Sequence, residues 1–372
     1  MDLNKILPHN IASLKGYVAG KTISEVREEY QPAQISKLAS NENRLGCSRK
    51  VKNAVLEGLS DIQDYPDPLS SKLRKRVADF NGVSESEVIL TSGSESLISI
   101  LCRTFFKNGE HAITADATFV GFFVQAGVRG VSVVKVPITD QYGFDVDAIL
   151  SNINDQTKMV YIANPNNPTG TYLTKEEYRK LLDGTPENVL LILDEAYYEF
   201  AESIPDFPKA LDFRRDNVII LRTFSKAYGL AGFRIGYGIA SEELTHQMIK
   251  TKLTFEPTAL AQAAALAALD DQEFISQTVR SVNHQKKELY AFFDAHSVNY
   301  VRSASNSVLM IMDSEQDAID FTDSMLRLGV ILRRVEAFGL PHCIRITVGT
   351  ESEMNHFRKS FLGIKETISN EL

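Results

Sequence analysis

The chain has 372 residues, 44% of them hydrophobic and 24% charged, with a formal net charge of −8; at roughly 150 residues per domain this is room for about two well-cored domains. No uncharged apolar run approaches the ~20 residues of a membrane span, and the first residues, MDLNKILPHNIASLKG, carry no apolar core of signal-peptide length, so a cytoplasmic protein is expected. Three widely spaced cysteines and scattered histidines exclude a disulfide framework and the usual zinc spacings, leaving no expected metal, and the absence of a Lys/Arg stripe argues against nucleic acid as a partner.

Residues 1–40 are mixed in character, with one short helical stretch at ISEVREEY (23–30). From Val88 onward, β-rich runs alternate with helical periodicity. The runs are VILT (88–91), HAITA (111–115), VSVVKVPI (131–138), KMVYIA (158–163), VLLILD (189–194), VIILRT (218–223) and RIGYGIA (234–240). Helical patterns fill several gaps, as in SESLISILCRTFF and TKEEYRKLLD. This alternation predicts an α/β fold: a doubly wound, mainly parallel, seven-stranded sheet with helices on both faces. Strands as apolar as VLLIL suit a sheet covered on both sides. After residue 255 come two helical stretches, TALAQAAALAALD and a longer polar one, and then a small α/β unit with SVLMIM, VILRRV, HCIRITVG and a final helix from Glu351. The expected division is an N-terminal arm, residues 1–44, contributing to a small domain; a large domain, 45–265; and a C-terminal small domain, 266–372.

Four segments end predicted strands, where open α/β sheets bind ligands. TSGSES (91–96) turns at Gly93 into a helix, so the amides of Ser94 and Glu95 suit a phosphate; the plainer reading is a helix cap by Ser94 or Ser96. NPNNPTG (164–170) is a rigid turn with carboxamides, or simply a turn. DEAYYEF (194–200) places an acid at the end of a buried strand, where Asp194 needs a cationic partner, unless it caps a helix. TFSKAYGLAGFRIGY (223–237) sets Lys226 among hydroxyls with Arg234 eight residues on, an anion site with an amine beside it; a surface loop lysine is the alternative.

Taken in order, SNEN, YPD, SGS, NPNNPTG, DEAYYEF, TFSKAYGLAGFRIGY and RITVGT resemble the class I and II aminotransferases of pyridoxal phosphate (PLP) fold type I, and among them are most similar to the histidinol-phosphate aminotransferases, from about Tyr17 to Thr350. The resemblance implies that Lys226 holds PLP covalently and then acts as catalytic base. It makes Asp194 the partner of the ring nitrogen and Asn167 and Tyr197 the partners of the ring oxygen. Ser94, Glu95, Thr223, Ser225 and Arg234 would hold the coenzyme phosphate, with Phe119 stacked on the ring where many relatives have tyrosine. Tyr65 would reach the phosphate of a partner subunit's coenzyme, which implies a homodimer with shared sites. Arg345 and Arg333 would bind substrate anions, and Asn43 and Tyr17 the substrate wall. For Arg333 a surface salt bridge, and for Tyr17 ordinary packing, are the plain alternatives.

The implied reaction moves an amino group from histidinol phosphate to 2-oxoglutarate, in histidine biosynthesis. An aromatic amino-acid aminotransferase, a PLP lyase such as a threonine-phosphate decarboxylase, and a non-catalytic binding domain are the competing readings. Two departures from the family pattern bear on substrate choice: Arg44 stands where relatives usually have proline, and Glu95-Ser96 where they often have Asp-Glu.

Overall fold

The computed structural model describes residues 3–14 and 20–370. Seven strands form the main sheet: β1 (Val88–Thr91), β2 (His111–Ala115), β3 (Ser132–Val136), β4 (Thr157–Ala163), β5 (Leu190–Asp194), β6 (Val218–Thr223) and β7 (Gly236–Ile239). Their spatial order is β1-β7-β6-β5-β4-β2-β3. Pairing is parallel throughout except at β7, which runs antiparallel to both β1 and β6. The exception has a local cause. The segment between β6 and β7 turns back directly and holds no crossover helix, and without one a following strand can only pair antiparallel. Strands β4 to β6 are buried almost along their whole length, as a sheet sandwiched by helices requires.

A second sheet lies in the C-terminal third. It comprises β8 (Asn299–Val301), β9 (Ser307–Ile311), β10 (Arg333–Val335) and β11 (Leu340–Thr347), all antiparallel, in the order β10-β11-β9-β8. The predicted run VILRRV is split. Val330–Ile331 pairs parallel with Ser36–Lys37, while Arg333–Val335 joins the four-stranded sheet. That short ladder ties the N-terminal segment to the C-terminal unit, with Leu38 fully buried just beyond it. The two helical stretches are Ala259–Leu269 and the 24-residue helix Gln272–Ala295.

Two glycines of β7 govern what can approach that strand. A Cβ on Gly238 would fall 2.5 Å from Leu97, and one on Gly236 would fall 2.8 Å from the Ser94 nitrogen. Helix Ser94–Phe105 can therefore lie directly against β7, with its first turn at the strand's end.

Candidate active site

A cleft opens at the carboxyl ends of β4, β5 and β6. It is lined by Ser94, Glu95, Phe119, Ala163, Pro165, Asn167, Asp194, Ala196, Tyr197, Thr223, Ser225, Lys226 and Arg234. Ten of these are residues that the sequence singles out as coenzyme partners; Tyr65 is not among them.

At one end the chain builds an anion cup. Gly93 takes φ +85°, in which a side chain would be strained, and a Cβ there would fall 3.0 Å from Arg234 Nη2. Helix Ser94–Phe105 starts without any side-chain cap, so the plain reading of Ser94 or Ser96 as a cap does not hold. The Ser96 hydroxyl is instead turned to Glu256, 3.1 Å away. The first-turn amides keep their donors for the cleft, where the helix dipole favours an anion. Thr223 Oγ1 donates to Ser225 Oγ at 3.0 Å and accepts from the Ser225 amide at 3.1 Å, which fixes both hydroxyls. Arg234 is held in a left-handed conformation, φ +51°, with Nη1 donating to the Ala231 carbonyl.

At the other end lies Asp194, 3% exposed. Tyr161 Oη donates to its Oδ2 at 2.7 Å and the Ala196 amide to its Oδ1 at 3.1 Å. Burial nevertheless dominates and pushes the carboxyl up to about 6, against these two hydrogen bonds and the Lys226 charge. Asp194 sits on the last residue of β5 rather than capping the short helix that follows, whose N-cap is Tyr197. Lys226 reaches from the loop after β6 to within 3.4 Å of the Ser40 carbonyl, and its ammonium lies 5.6 Å from the centre of the Tyr197 ring.

The NPNNPTG loop divides its labour. Asn164 Oδ1 accepts from the Leu173 amide, and Asn166 is tied to Ala117 and Thr118, so both are spent on the loop itself. Asn167 accepts from Arg345 Nη1 at 2.5 Å, which leaves its amide N–H groups to donate into the cleft. Arg345 also donates to the Ala39 carbonyl at 2.7 Å. Arg333 is its direct cross-strand partner in the β10–β11 ladder. Phe119 lines the cleft wall; a Cβ on Gly121 would fall 2.5 Å from its ring, so that glycine gives the ring its space.

Asn43 and Tyr65 lie elsewhere. Asn43 faces a neighbouring crevice. Its Nδ2 donates to the Ala227 carbonyl (2.8 Å) and Thr278 (3.2 Å), and its Oδ1 accepts from the Leu45 amide, so it braces the Lys226 loop. Tyr65 is 80% exposed and stacks on Phe255 with ring centres 4.4 Å apart. Tyr17 lies outside the described residues. Arg44 turns to the start of the last helix, where Nη2 pairs with Glu353 at 2.7 Å. That ion pair directs the extra arginine away from the cleft.

Sequence reasoning missed two residues beside the site, Asn41 and Tyr161. A tyrosine inside the apolar run KMVYIA was a usable signal, because a buried phenol needs a partner. Asn41 carried no such signal, since SNEN offers two asparagines and nothing in the string says which one turns inward.

The family model described as aminotransferase class I and II matches residues 33–361. This chain belongs to that family. It is 40% identical over 349 residues to a histidinol-phosphate aminotransferase of Bacillus velezensis, covering 93% of this chain and 96% of that protein. Its fold is similar to the crystal structure of histidinol-phosphate aminotransferase from Sinorhizobium meliloti in complex with pyridoxal-5′-phosphate, with a TM-score of 0.89, 26% identity, and 97% and 98% of the two chains covered. The fold alone is shared with L-threonine-O-3-phosphate decarboxylase from Porphyromonas gingivalis, at TM-score 0.78 and 21% identity, over 89% of this chain and 100% of that one.

The cleft fits pyridoxal phosphate on its own chemistry. It combines a side-chain-free approach at Gly93 beside an arginine fork, an amine, and a buried carboxylate that a cationic ring nitrogen would neutralise.

Proposed function

We propose that this protein is a PLP-dependent histidinol-phosphate aminotransferase, with 2-oxoglutarate and glutamate as its second substrate pair. The observation that carries the substrate is the Arg333–Arg345 register. Like charges placed directly opposite on one face of a ladder destabilise it, and Arg333 has no ion-pair partner among the described residues. A phosphate held by Arg333 beside Arg345 removes that repulsion.

When bound, PLP supplies the electron sink that stabilises negative charge at the carbon bearing the amino group. Ser94, Glu95, Thr223, Ser225 and Arg234 would hold its phosphate, and Phe119 would cover its ring. Asp194 would keep the ring nitrogen protonated, because a carboxylate in this dry position is stable only beside a cation. Asn167 and Tyr197 would donate to the ring oxygen. Lys226 would hold the coenzyme, and its amine would serve as the base that moves the proton at the substrate Cα. Arg345 alone serves the carboxylate of glutamate in the second half-reaction.

We further infer a cytoplasmic homodimer whose Tyr65 serves the partner's site, since Tyr65 does not line the cleft of its own chain. The domain division at residues 45–265, against 1–44 with 266–372, belongs to the same reading.

The test is a half-reaction. Histidinol phosphate, phenylalanine and threonine phosphate are added singly to the loaded protein while its visible absorption is followed. Loss of the coenzyme's visible band with histidinol phosphate is the expected result. Conversion only by phenylalanine would make it an aromatic aminotransferase, and carbon dioxide release from threonine phosphate would make it a lyase. Arg333→Ala should raise the KM for histidinol phosphate by about tenfold or more, for a lost charge-assisted contact, while leaving the KM for glutamate near its original value.

A further inference from the structure

Asn41 is 1% exposed and takes the left-handed backbone conformation, φ +54°. Every polar group it has is engaged. Its backbone N–H donates to Thr347 Oγ1 at 2.8 Å and its carbonyl accepts from Asn306 Nδ2 at 3.0 Å. Its side-chain Oδ1 accepts from Thr347 Oγ1 at 3.0 Å. Its Nδ2 donates to Ser307 Oγ at 3.2 Å and to Tyr197 Oη at 2.9 Å. Thr347 and Ser307 are paired residues of β11 and β9, whereas Tyr197 follows β5 of the main sheet. One amide thus links the two sheets at the wall of the cleft.

The Thr347 hydroxyl gives its one proton to Oδ1 while accepting from the Asn41 backbone N–H, and the two side-chain N–H groups face Tyr197 and Ser307. A phenol also has one proton. With the Tyr197 oxygen accepting from Asn41, and no acceptor for its hydroxyl among the described residues, that proton is left to point into the cleft.

We infer that Asn41 is a positioning residue: by donating to Tyr197 it fixes that hydroxyl as a donor toward the coenzyme's ring oxygen. The inference rests on the reading that Tyr197 faces that oxygen. A donor there favours the form of the coenzyme in which the oxygen carries full negative charge. Weakening the donor therefore raises the pH at which the bound coenzyme's visible band titrates.

Asn41→Gly suits the left-handed backbone and removes the amide without adding charge. It should raise the titration pH by up to about one unit, the effect of one hydrogen bond to a charged group. Tyr197→Phe should give the larger shift, and adding Asn41→Gly to Tyr197→Phe should then add nothing. Asn41→Asp, close to isosteric, replaces the donor by an acceptor and should shift the titration further than Asn41→Gly; it serves if the glycine variant folds poorly. The inference is overturned if neither variant moves the titration, or if Asn41→Gly moves it equally with Tyr197→Phe present. The substrate reading fails separately, in the half-reaction with histidinol phosphate, because the titration needs bound coenzyme only.

Discussion

Asp194 shows how a binding residue can work against the empty fold. Burial raises its carboxyl to about 6, well above the ~3.9 of an unfolded aspartate. Between those values the folded state binds more protons than the unfolded state, so stability falls as pH rises through this window and stays lowered above it. The full loss is on the order of 3 kcal/mol. Asp194→Asn keeps the shape and removes the charge. The coenzyme-free variant should melt several degrees above the coenzyme-free wild type at pH 8, and the gap should close toward pH 4. With coenzyme the order should reverse, because the carboxylate then has a cation to pair with. Thermal melts at three pH values, with and without PLP, check both halves. At this scale much of the site was legible, because a lone acid ending an apolar strand and a lysine in a hydroxyl-rich loop are costly unless used. Asn41 and Asn43 were not told apart, for the opposite reason. Polar residues in loops have many inexpensive partners, and the string SNEN does not distinguish the asparagine that braces a loop from the one that turns toward Tyr197.

At the scale of elements, the ends of β5 and β6 are locked together beneath the cleft. Arg222 pairs with Glu195 at 2.8 Å, both side chains almost fully buried. Its guanidinium lies 3.6 Å from the centre of the Tyr198 ring, and Nη1 donates to Asn81 at 3.0 Å. Each of these strands therefore ends in a cleft residue, Asp194 or Thr223, beside one half of a buried ion pair. Removing one partner leaves the other charge buried and uncompensated, which costs about 3–5 kcal/mol. Arg222→Met should lose that much in urea denaturation, whereas Arg222→Met with Glu195→Leu should recover most of it. If the double variant is no more stable than the single, the pair is not what holds the strand ends. An arginine inside VIILRT advertised this pair, since a buried strand tolerates a charge only with a partner. The strands themselves were readable from apolar runs bounded by turns, and most observed ends lie close to the predicted ones. The split of VILRRV between two sheets was not readable, because Val330–Ile331 is claimed by Ser36–Lys37, nearly three hundred residues away.

At the scale of the whole molecule, one group of exposed apolar side chains comes from two segments that meet. Leu56, Ile62 and Tyr65 are 67%, 60% and 80% exposed, and Leu253 is 65% exposed two residues from Phe255, on which Tyr65 stacks. Apolar surface of this kind marks an interface, and two-fold pairing is the commonest way to cover one. If Tyr65 completes the partner's phosphate cup, Lys226 and Tyr65 of any one site come from different chains. Lys226→Ala and Tyr65→Ala homodimers then each have two damaged sites. A mixed dimer has one site carrying both lesions and one carrying neither. Co-refolding equal amounts gives mixed dimers in about half of the population, each with one intact site, so roughly a quarter of wild-type activity should return. The same two variants mixed without dissociation should stay at their starting level. Activity that fails to rise after subunit exchange, in a sample shown to be dimeric by sedimentation, would place Tyr65 outside the partner's site.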